Sequence, residues 1–498
     1  MHFASLTIDP AFRVGEVDPR LYGSFVEHLG RCVYEGIYEP GHPTADPRGF
    51  RGDVASLTRE LGVPIVRYPG GNFVSGYHWE DGIGPVEERP TRIDLAWRTI
   101  EPNHVGVDEF QRWAGSVGAE TMMAVNLGTR GIDAARSIVE YCNHPSGTYW
   151  SDLRRANGAA DPYDIKVWCL GNEMDGPWQI GHKTAVEYGR LAAETGKAMR
   201  LVDPSIELVA CGSSNRAMPT FGSWEATVLG SCYDVVDYVS LHAYYQERDG
   251  DRGSFLASAV DMDAFIEAVI ATADHVRAVG RHRKRINLSF DEWNVWYQTR
   301  FAGEKNLSIE RTPRLIEDVY SVTDAVVVGN LLISLLRHAD RVRIGCQAQL
   351  VNVIGLIMTE PGGPAWRQSS YHPFALTSRH GRGTVLRLEP TGPSYDTAVH
   401  GRVPVLDAVA VLTEEDGVVL FAVNRDQSQE LTLDVDARSL PALTAADHVA
   451  LFDEDPDAVN DATDPDRVVP RPLDPPKLDG GRLQAVLPPL SWNMIRLT

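Results

Sequence analysis

The sequence predicts an α/β protein, a (β/α)8 TIM barrel followed by a C-terminal antiparallel β-sandwich of jelly-roll type. Three observations predict it. Eight short apolar runs alternate with longer amphipathic segments between about residues 20 and 380. After about residue 383 the pattern changes to apolar–polar alternation broken by turn residues. No GxGxxG fingerprint supports the doubly wound open sheet that is the alternative for alternating strands and helices. A length of 498 residues exceeds one ordinary core and fits two domains.

The eight runs are LYGSFVEH (21–28), PIVRYPG (64–70), TMMAVNLG (121–128), IKVWCLGNE (165–173), ELVACGSS (207–214), YVSLHAYY (238–245), INLSFDEWN (286–294) and GCQAQLVNVI (345–354). Near-continuous apolar strands of this kind belong in a parallel sheet covered on both faces, and a count of eight favours closure. Between them, Met262, Phe265, Ile266, Val269, Ile270, Ala273 and Val276 recur at helical spacing, with Asp261 expected as the N-cap. A second helix, AVEYGRLAAETGKAMRLVDP (185–204), stops at its proline. AVVVGNLLISLL (325–336) carries Asn330 and is well short of the ~20 residues of a membrane span, so it reads as a buried helix.

Beyond the barrel, VLDAVAVLTEEDGVVLFAVNRDQSQELTLDVDA alternates as antiparallel strands do, with turns at EEDG and NRDQ. The Pro- and Asp-rich stretch 453–477 reads as a long surface loop without regular structure. RLQAVLPPLSWNMIRL closes the chain with two more strand-like runs. FASLTI at the start also alternates and is expected to add a strand to the sandwich. The domains are therefore expected to be a barrel over 18–383 and a sandwich from 1–17 plus 384–498.

Formal charge is 47 − 68 = −21, which argues against nucleic acid or an anionic membrane as partner. The N-terminus has neither a basic nor an apolar signal region, so a cytoplasmic location is expected. Six scattered cysteines with no CxxC read as reduced core thiols. With no HExxH and no clustered His or Cys, neither a metal nor a cofactor is expected.

In a (β/α)8 barrel the active site forms at the C-terminal ends of the strands. Those ends carry Glu27, His28, Asn72, Asn126, Asn172, Glu173, His242, Tyr244, Asp291, Glu292, Asn294, Gln347 and Gln349, with Trp79, Trp97, Trp178, Trp293 and Trp296 in the same or adjoining loops. Carboxylates and amides bond hydroxyls and aromatic rings stack on C–H faces, so this set suits a sugar. Glu173 after the fourth run and Glu292 after the seventh would face each other across the mouth. Retaining glycosidases need such a pair about 5–5.5 Å apart, one a nucleophile and one an acid kept protonated by burial and its neighbour. Plain alternatives stand beside this: a Glu27–Arg31 salt bridge, Asn72 as a turn residue, Asn172 as a strand-end amide, His242 as a core histidine, Tyr244 and Gln349 as barrel caps, and the tryptophans as packing. By strand alternation Asp291 is expected to face away from Glu292 and to be structural.

The blocks GSFVEHLGRCVYEGIYEP, RYPGGNFVSGYHWEDGIGP, AWRTIEPNHVG, WCLGNEMDGPWQIGHK, FDEWNVWY and AQLVNVIGLIMT, in that order from first strand to eighth, resemble α-L-arabinofuranosidases of glycoside hydrolase family 51. LPPLSWNMIRL resembles that family's last sandwich strand, and Asn-Glu ending strand four with a second Glu ending strand seven resembles its clan, clan A. The resemblance implies that Glu173 is the general acid/base and Glu292 the nucleophile. It implies that Glu27, Asn72, Asn172, Tyr244 and Gln349 hold the furanose hydroxyls, with His242, Trp97 and Trp296 lining the pocket. The expected activity is release of terminal α-L-arabinofuranosyl groups from arabinose-containing oligosaccharides by a homo-oligomer, often a hexamer. The alternatives are another clan A retaining glycosidase, an endo-β-glucanase or xylosidase type, and a non-catalytic sugar-binding protein.

Overall fold

The structure is a computed structural model that describes residues 2–413, 417–440 and 446–497. Eight parallel strands close into a barrel: Gly23–Phe25, Ile65–Tyr68, Glu120–Ala124, Val167–Leu170, Glu207–Ala210, Tyr238–Tyr245, Asn287–Val295 and Val342–Gln347, called barrel strands one to eight below. Each expected run contributes one strand. The eighth ends at Gln347, earlier than the run it came from, because residues 348–356 turn away to build the mouth.

Local rules explain the helices and one departure. Helix Ala185–Val202 starts at a capping box, Thr184 with Glu187, and ends two residues before Pro204. Helix Ser258–Gly280 begins three residues ahead of Asp261, which therefore sits in its first turn and does not cap it. The short helix Arg252–Leu256 feeds straight into it, and Asp261 is turned to Arg216 instead. Helix Val322–Arg337 is buried along its whole length except for Arg337, as its apolar sequence requires. Its Gly329 makes room for the Trp492 indole, whose ring carbon would lie 2.2 Å from a Cβ there.

The sandwich has a four-stranded and a seven-stranded sheet around a core that includes Leu6, Leu420, Leu433, Leu483 and Ile495. The N-terminal strand His2–Thr7 joins the smaller sheet, parallel to Leu431–Asp436. Arg13–Glu16 joins the larger sheet by pairing with Thr384–Leu386. Glu414, Glu415 and Asp416 of the expected EEDG turn lie outside the described residues.

The 453–477 stretch differs from expectation. It is a strap packed on the barrel, with Ala458, Asn460 and Val468 buried and a short strand, Arg471–Pro472, paired to Val449 and Ala450. Its Pro456 and Ala458 carbonyls accept from the Thr323 and Val322 N–H groups, donors that a helix start leaves unpaired. All six cysteines are buried and free. No helix among the described residues is long and apolar enough to cross a membrane.

Candidate active site

Barrel strands four, six and seven bring Glu173, His242 and Glu292 together. Gly171 takes a left-handed φ of 91° and Glu173 one of 42°, so the chain turns sharply and the carboxylate stands over the mouth. A non-glycine residue there is strained, a feature that clusters at functional sites. His242 Nδ1 lies 2.9 Å from Glu173 Oε1 and 3.6 Å from Glu292 Oε2, and its Nε2 lies 3.0 Å from Asp291 Oδ1. Burial disfavours a charged imidazole, but Glu292, Asp291 and Glu173 outweigh it and push the His242 pKa up to about 10. At neutral pH the ring is therefore an imidazolium donating to Glu173 and Asp291.

Glu292 is held from two further sides. Tyr244 donates its hydroxyl to Oε2 at 2.7 Å, and Arg67 donates Nη1 to Oε1 at 2.6 Å. The other arm of Arg67 donates to Asn172 Oδ1 at 2.6 Å, so one guanidinium orients both the carboxylate and the amide beside Glu173. Asn172 in turn points its amide at Asn72 and Gln179, at 3.5 and 3.4 Å. Gly71 keeps this centre open: a Cβ there would come 3.1 Å from Glu292 Oε1 and 3.2 Å from Glu27 Oε2.

Glu27 does not pair with Arg31, whose guanidinium is taken by Glu317. It accepts from the Phe73 N–H and Trp97 Nε1, each at 2.9 Å, and from Gln349 Nε2 at 3.2 Å. Burial is the main cause that pushes the Glu27 pKa up to about 8, and Glu292 adds to it against the Phe73 bond. Gln349 Oε1 is buried without a hydrogen-bond partner among the described residues. Trp296 stands edge-on to Tyr244 with ring centroids 5.2 Å apart. A cavity of about 1150 Å³ opens over Glu27, Asn72, Trp97, Glu173, Glu292 and Gln349, and Tyr244 and Trp296 also line it. Asn172 and His242 are themselves buried, Asn172 beside Glu173 in the chain and His242 bonded to it.

Three residues look different from the sequence reading. Asp291 does not face away: it bonds His242, Ser289 and, at 3.9 Å, the Cys169 thiol of strand four inside the barrel. Strand seven loses register with strand eight between Phe290 and Trp293, and that irregularity suspends the alternation the expectation relied on. Arg67 was missed; the available signal was a charge in the middle of the apolar run PIVRYPG. Trp178, left open between wall and packing, lines the cavity and donates its indole N–H to Glu173 Oε2 at 2.7 Å. Of the other strand-end residues, Asn126 binds the turn after strand three, and His28 is held by Glu101 and Tyr68. Asn294 donates to the Ala348 and Ile354 carbonyls, so these three serve the scaffold.

Glu173, His242 and Glu292 each offer a ligand atom within 4.8 Å of the others, the one such group with metal-ligand chemistry among the described residues. An imidazolium and the Arg67 guanidinium already supply the positive charge that a metal would bring. Carboxylate oxygens that approach within 4.8 Å are compatible with the ~5–5.5 Å separation of a retaining pair and leave less room than the ~6.5–9.5 Å of an inverting one.

Two family models match the chain: an alpha-L-arabinofuranosidase 1 domain over 57–264 and an alpha-L-arabinofuranosidase C-terminal domain over 291–491. An intracellular exo-alpha-(1->5)-L-arabinofuranosidase of Streptomyces lividans is 60% identical, over 100% of this chain and 75% of its own length. One of the same description from Halalkalibacterium halodurans is 58% identical over 99% of both chains. The solved structure of a family 51 alpha-L-arabinofuranosidase from Bifidobacterium longum superposes with a TM-score of 0.96, at 49% identity and full coverage of both.

Proposed function

This chain belongs to the family 51 α-L-arabinofuranosidases, which are glycoside hydrolases, and we propose that it works by double displacement with Glu292 as nucleophile and Glu173 as general acid/base. The observation that carries this assignment is the carboxylate pair within 4.8 Å, each member bonded differently. Glu292 is bracketed by Arg67 and Tyr244, which hold an anion aimed at the anomeric carbon. Glu173 meets Trp178 on the cavity side and the buried His242 on the other, and in its protonated form it gives its proton to the leaving oxygen. A furanosyl ester forms on Glu292; Glu173, now a base, removes a proton from water, and that water releases arabinose with retained configuration.

Glu27, Asn72, Asn172, Tyr244 and Gln349 are the hydroxyl-binding set in this reading, with Asn172 on the 2-OH. The unpaired Gln349 Oε1 suits a sugar hydroxyl donor. His242 acts from beneath, orienting Glu173, and Trp97 and Trp296 serve as walls. The substrates are arabinose-containing oligosaccharides, and the α-(1→5) linkage in the relatives' names is the first to test. Those names also support a cytoplasmic location. The family supports a homo-oligomer, a hexamer first, which light scattering on the purified protein checks.

The test compares chromophore release from aryl α-L-arabinofuranoside, β-xyloside and β-glucoside. Preference for the arabinofuranoside is expected; a preference for either of the others would overturn the substrate assignment. Glu173→Ala is expected to spare an activated aryl leaving group far more than a sugar leaving group, with azide restoring turnover. Equal losses on both would remove Glu173 from the acid role.

A further inference from the structure

Gln179 is buried, and the chemistry above gives it no part beyond its contact with Asn172. The loop after Glu173 folds back to deliver it. The Gly176 N–H donates to the Glu173 carbonyl at 2.8 Å, and the Gln179 N–H donates to the Gly176 carbonyl at 3.0 Å. The Gln179 side chain then meets two groups, Asn172 on one side and Ser75 on the other.

The direction of every bond in this row is forced from one end. A guanidinium carries donors only, so Arg67 takes the oxygen of Asn172, at 2.6 Å, and turns its Nδ2 the other way. An amide nitrogen can only donate, so the oxygen of Gln179 faces it, at 3.4 Å. Gln179 Nε2 is left towards Ser75 Oγ, which accepts at 2.5 Å. Ser75 is anchored in turn, because its carbonyl accepts from the Thr129 N–H at 3.2 Å and from Thr129 Oγ1 at 2.8 Å. Arg67, Asn172, Gln179 and Ser75 are all buried, so water does not compete for these bonds.

The row meets the cavity at Gly71, which lines it; a Cβ there would stand 3.5 Å from Asn172 Nδ2. The bonds from Nδ2 to Gln179 and to Asn72, 3.4 and 3.5 Å, are longer than the ~2.9–3.0 Å of an ordinary N–H···O bond. Nδ2 therefore keeps donor strength for an oxygen that arrives beside Gly71.

We propose that Gln179 is a positioning residue for recognition of the sugar's 2-OH. It holds the Asn172 amide so that an N–H, and never the carbonyl oxygen, faces the ring, and the 2-oxygen accepts. Without the Gln179 oxygen the amide is held from the Arg67 side alone, and its terminal torsion has a broad range to turn through. The inference rests on the proposed reading of the 2-OH by Asn172. It adds the direction of that bond and the residue that fixes it.

The experiment compares kcat/KM on 4-nitrophenyl α-L-arabinofuranoside and on its 2-deoxy analogue, so that the ratio of the two isolates the 2-OH. Gln179→Leu is expected to lose about 10-fold on the arabinofuranoside, the loss of roughly one hydrogen bond, and less than about 2-fold on the 2-deoxy analogue. Retained activity on the analogue shows that the variant is folded. Ser75→Ala deletes one oxygen and keeps the packing; it is expected to lose about 3-fold on the arabinofuranoside alone. Equal losses on both substrates in Ser75→Ala, or an unchanged ratio in Gln179→Leu, would overturn the inference. Asn172→Ala separates this failure from that of the underlying reading. If it collapses the ratio while Gln179→Leu does not, only the role of Gln179 falls. If Asn172→Ala leaves the ratio unchanged, the assignment of Asn172 to the 2-OH falls and takes this inference with it.

Discussion

Two buried ion clusters in this molecule are built to opposite ends. One lies where helix Val322–Arg337 meets the sandwich: Asp407 accepts from Arg425 at 2.7 Å, from Asn330 at 2.8 Å and from Arg337, which also reaches Asp263. Burial alone would raise the Asp407 carboxyl, but Arg337 and Arg425 outweigh it and bring its pKa down to about 2. Two acids face two arginines, and the charge closes. The other cluster lies at the barrel mouth, where Glu173, Asp291 and Glu292 share Arg67 and His242, with Glu27 close enough to Glu292 to feel its charge. There the acids are in excess: they hold His242 near 10 against its burial, while burial, with Glu292 adding to it, raises Glu27 to about 8. Balanced buried ions resist disturbance; unbalanced ones store reactivity, which is why strongly shifted groups gather at functional sites.

The sharpest way to break this contrast is Glu292→Ala, expected to cost at least ~10⁴-fold in kcat on an activated aryl arabinofuranoside. Residual turnover within tenfold of the unaltered enzyme would remove Glu292 as nucleophile. Asp407→Ala leaves Arg425 buried without its acid and is expected to cost ~3–5 kcal/mol in denaturant unfolding, with kcat of the folded enzyme preserved. A fall in kcat without a fall in stability would mean that the sandwich cluster is coupled to the mouth. Arg67→Met is expected to lose ~10²-fold in kcat, because Glu292 and Asn172 both drift from position.

The smallest effect concerns pH. Because the His242 pKa is raised from its ordinary 6.5 to about 10, its protonation stabilises the fold fully below about 6.5. That contribution is lost as pH rises through about 10. His242→Gln should therefore melt roughly 5 °C below the unaltered protein at pH 6, with the gap closing towards pH 10.5. A gap that is constant with pH would show that the imidazolium contributes nothing to the fold.

The alternating runs make the barrel legible in the sequence, and strand-end position picks out Glu27, Glu173 and Glu292, residues the fold brings around one cavity, with Asn172 buried beside them. Arg67 escapes because strand-end reasoning looks past the middle of a strand, yet long side chains there can climb to the mouth. Asp291 is misread because alternation assumes a regular strand, and irregular register is a tertiary property of neighbouring strands. The 453–477 strap teaches a related lesson. Proline and aspartate exclude ladders and helices, but they do not prevent a chain from packing its carbonyls on a helix start.

The pairing of His2–Thr7 with Leu431–Asp436 also has a consequence in time. The first strand of the chain finds its partner only after every barrel strand and helix has been made. At roughly 5 to 20 residues per second, that wait lasts roughly 20 to 90 s. The ladder of this edge strand therefore closes late in synthesis, and the small sheet cannot be completed before the chain beyond the barrel has emerged.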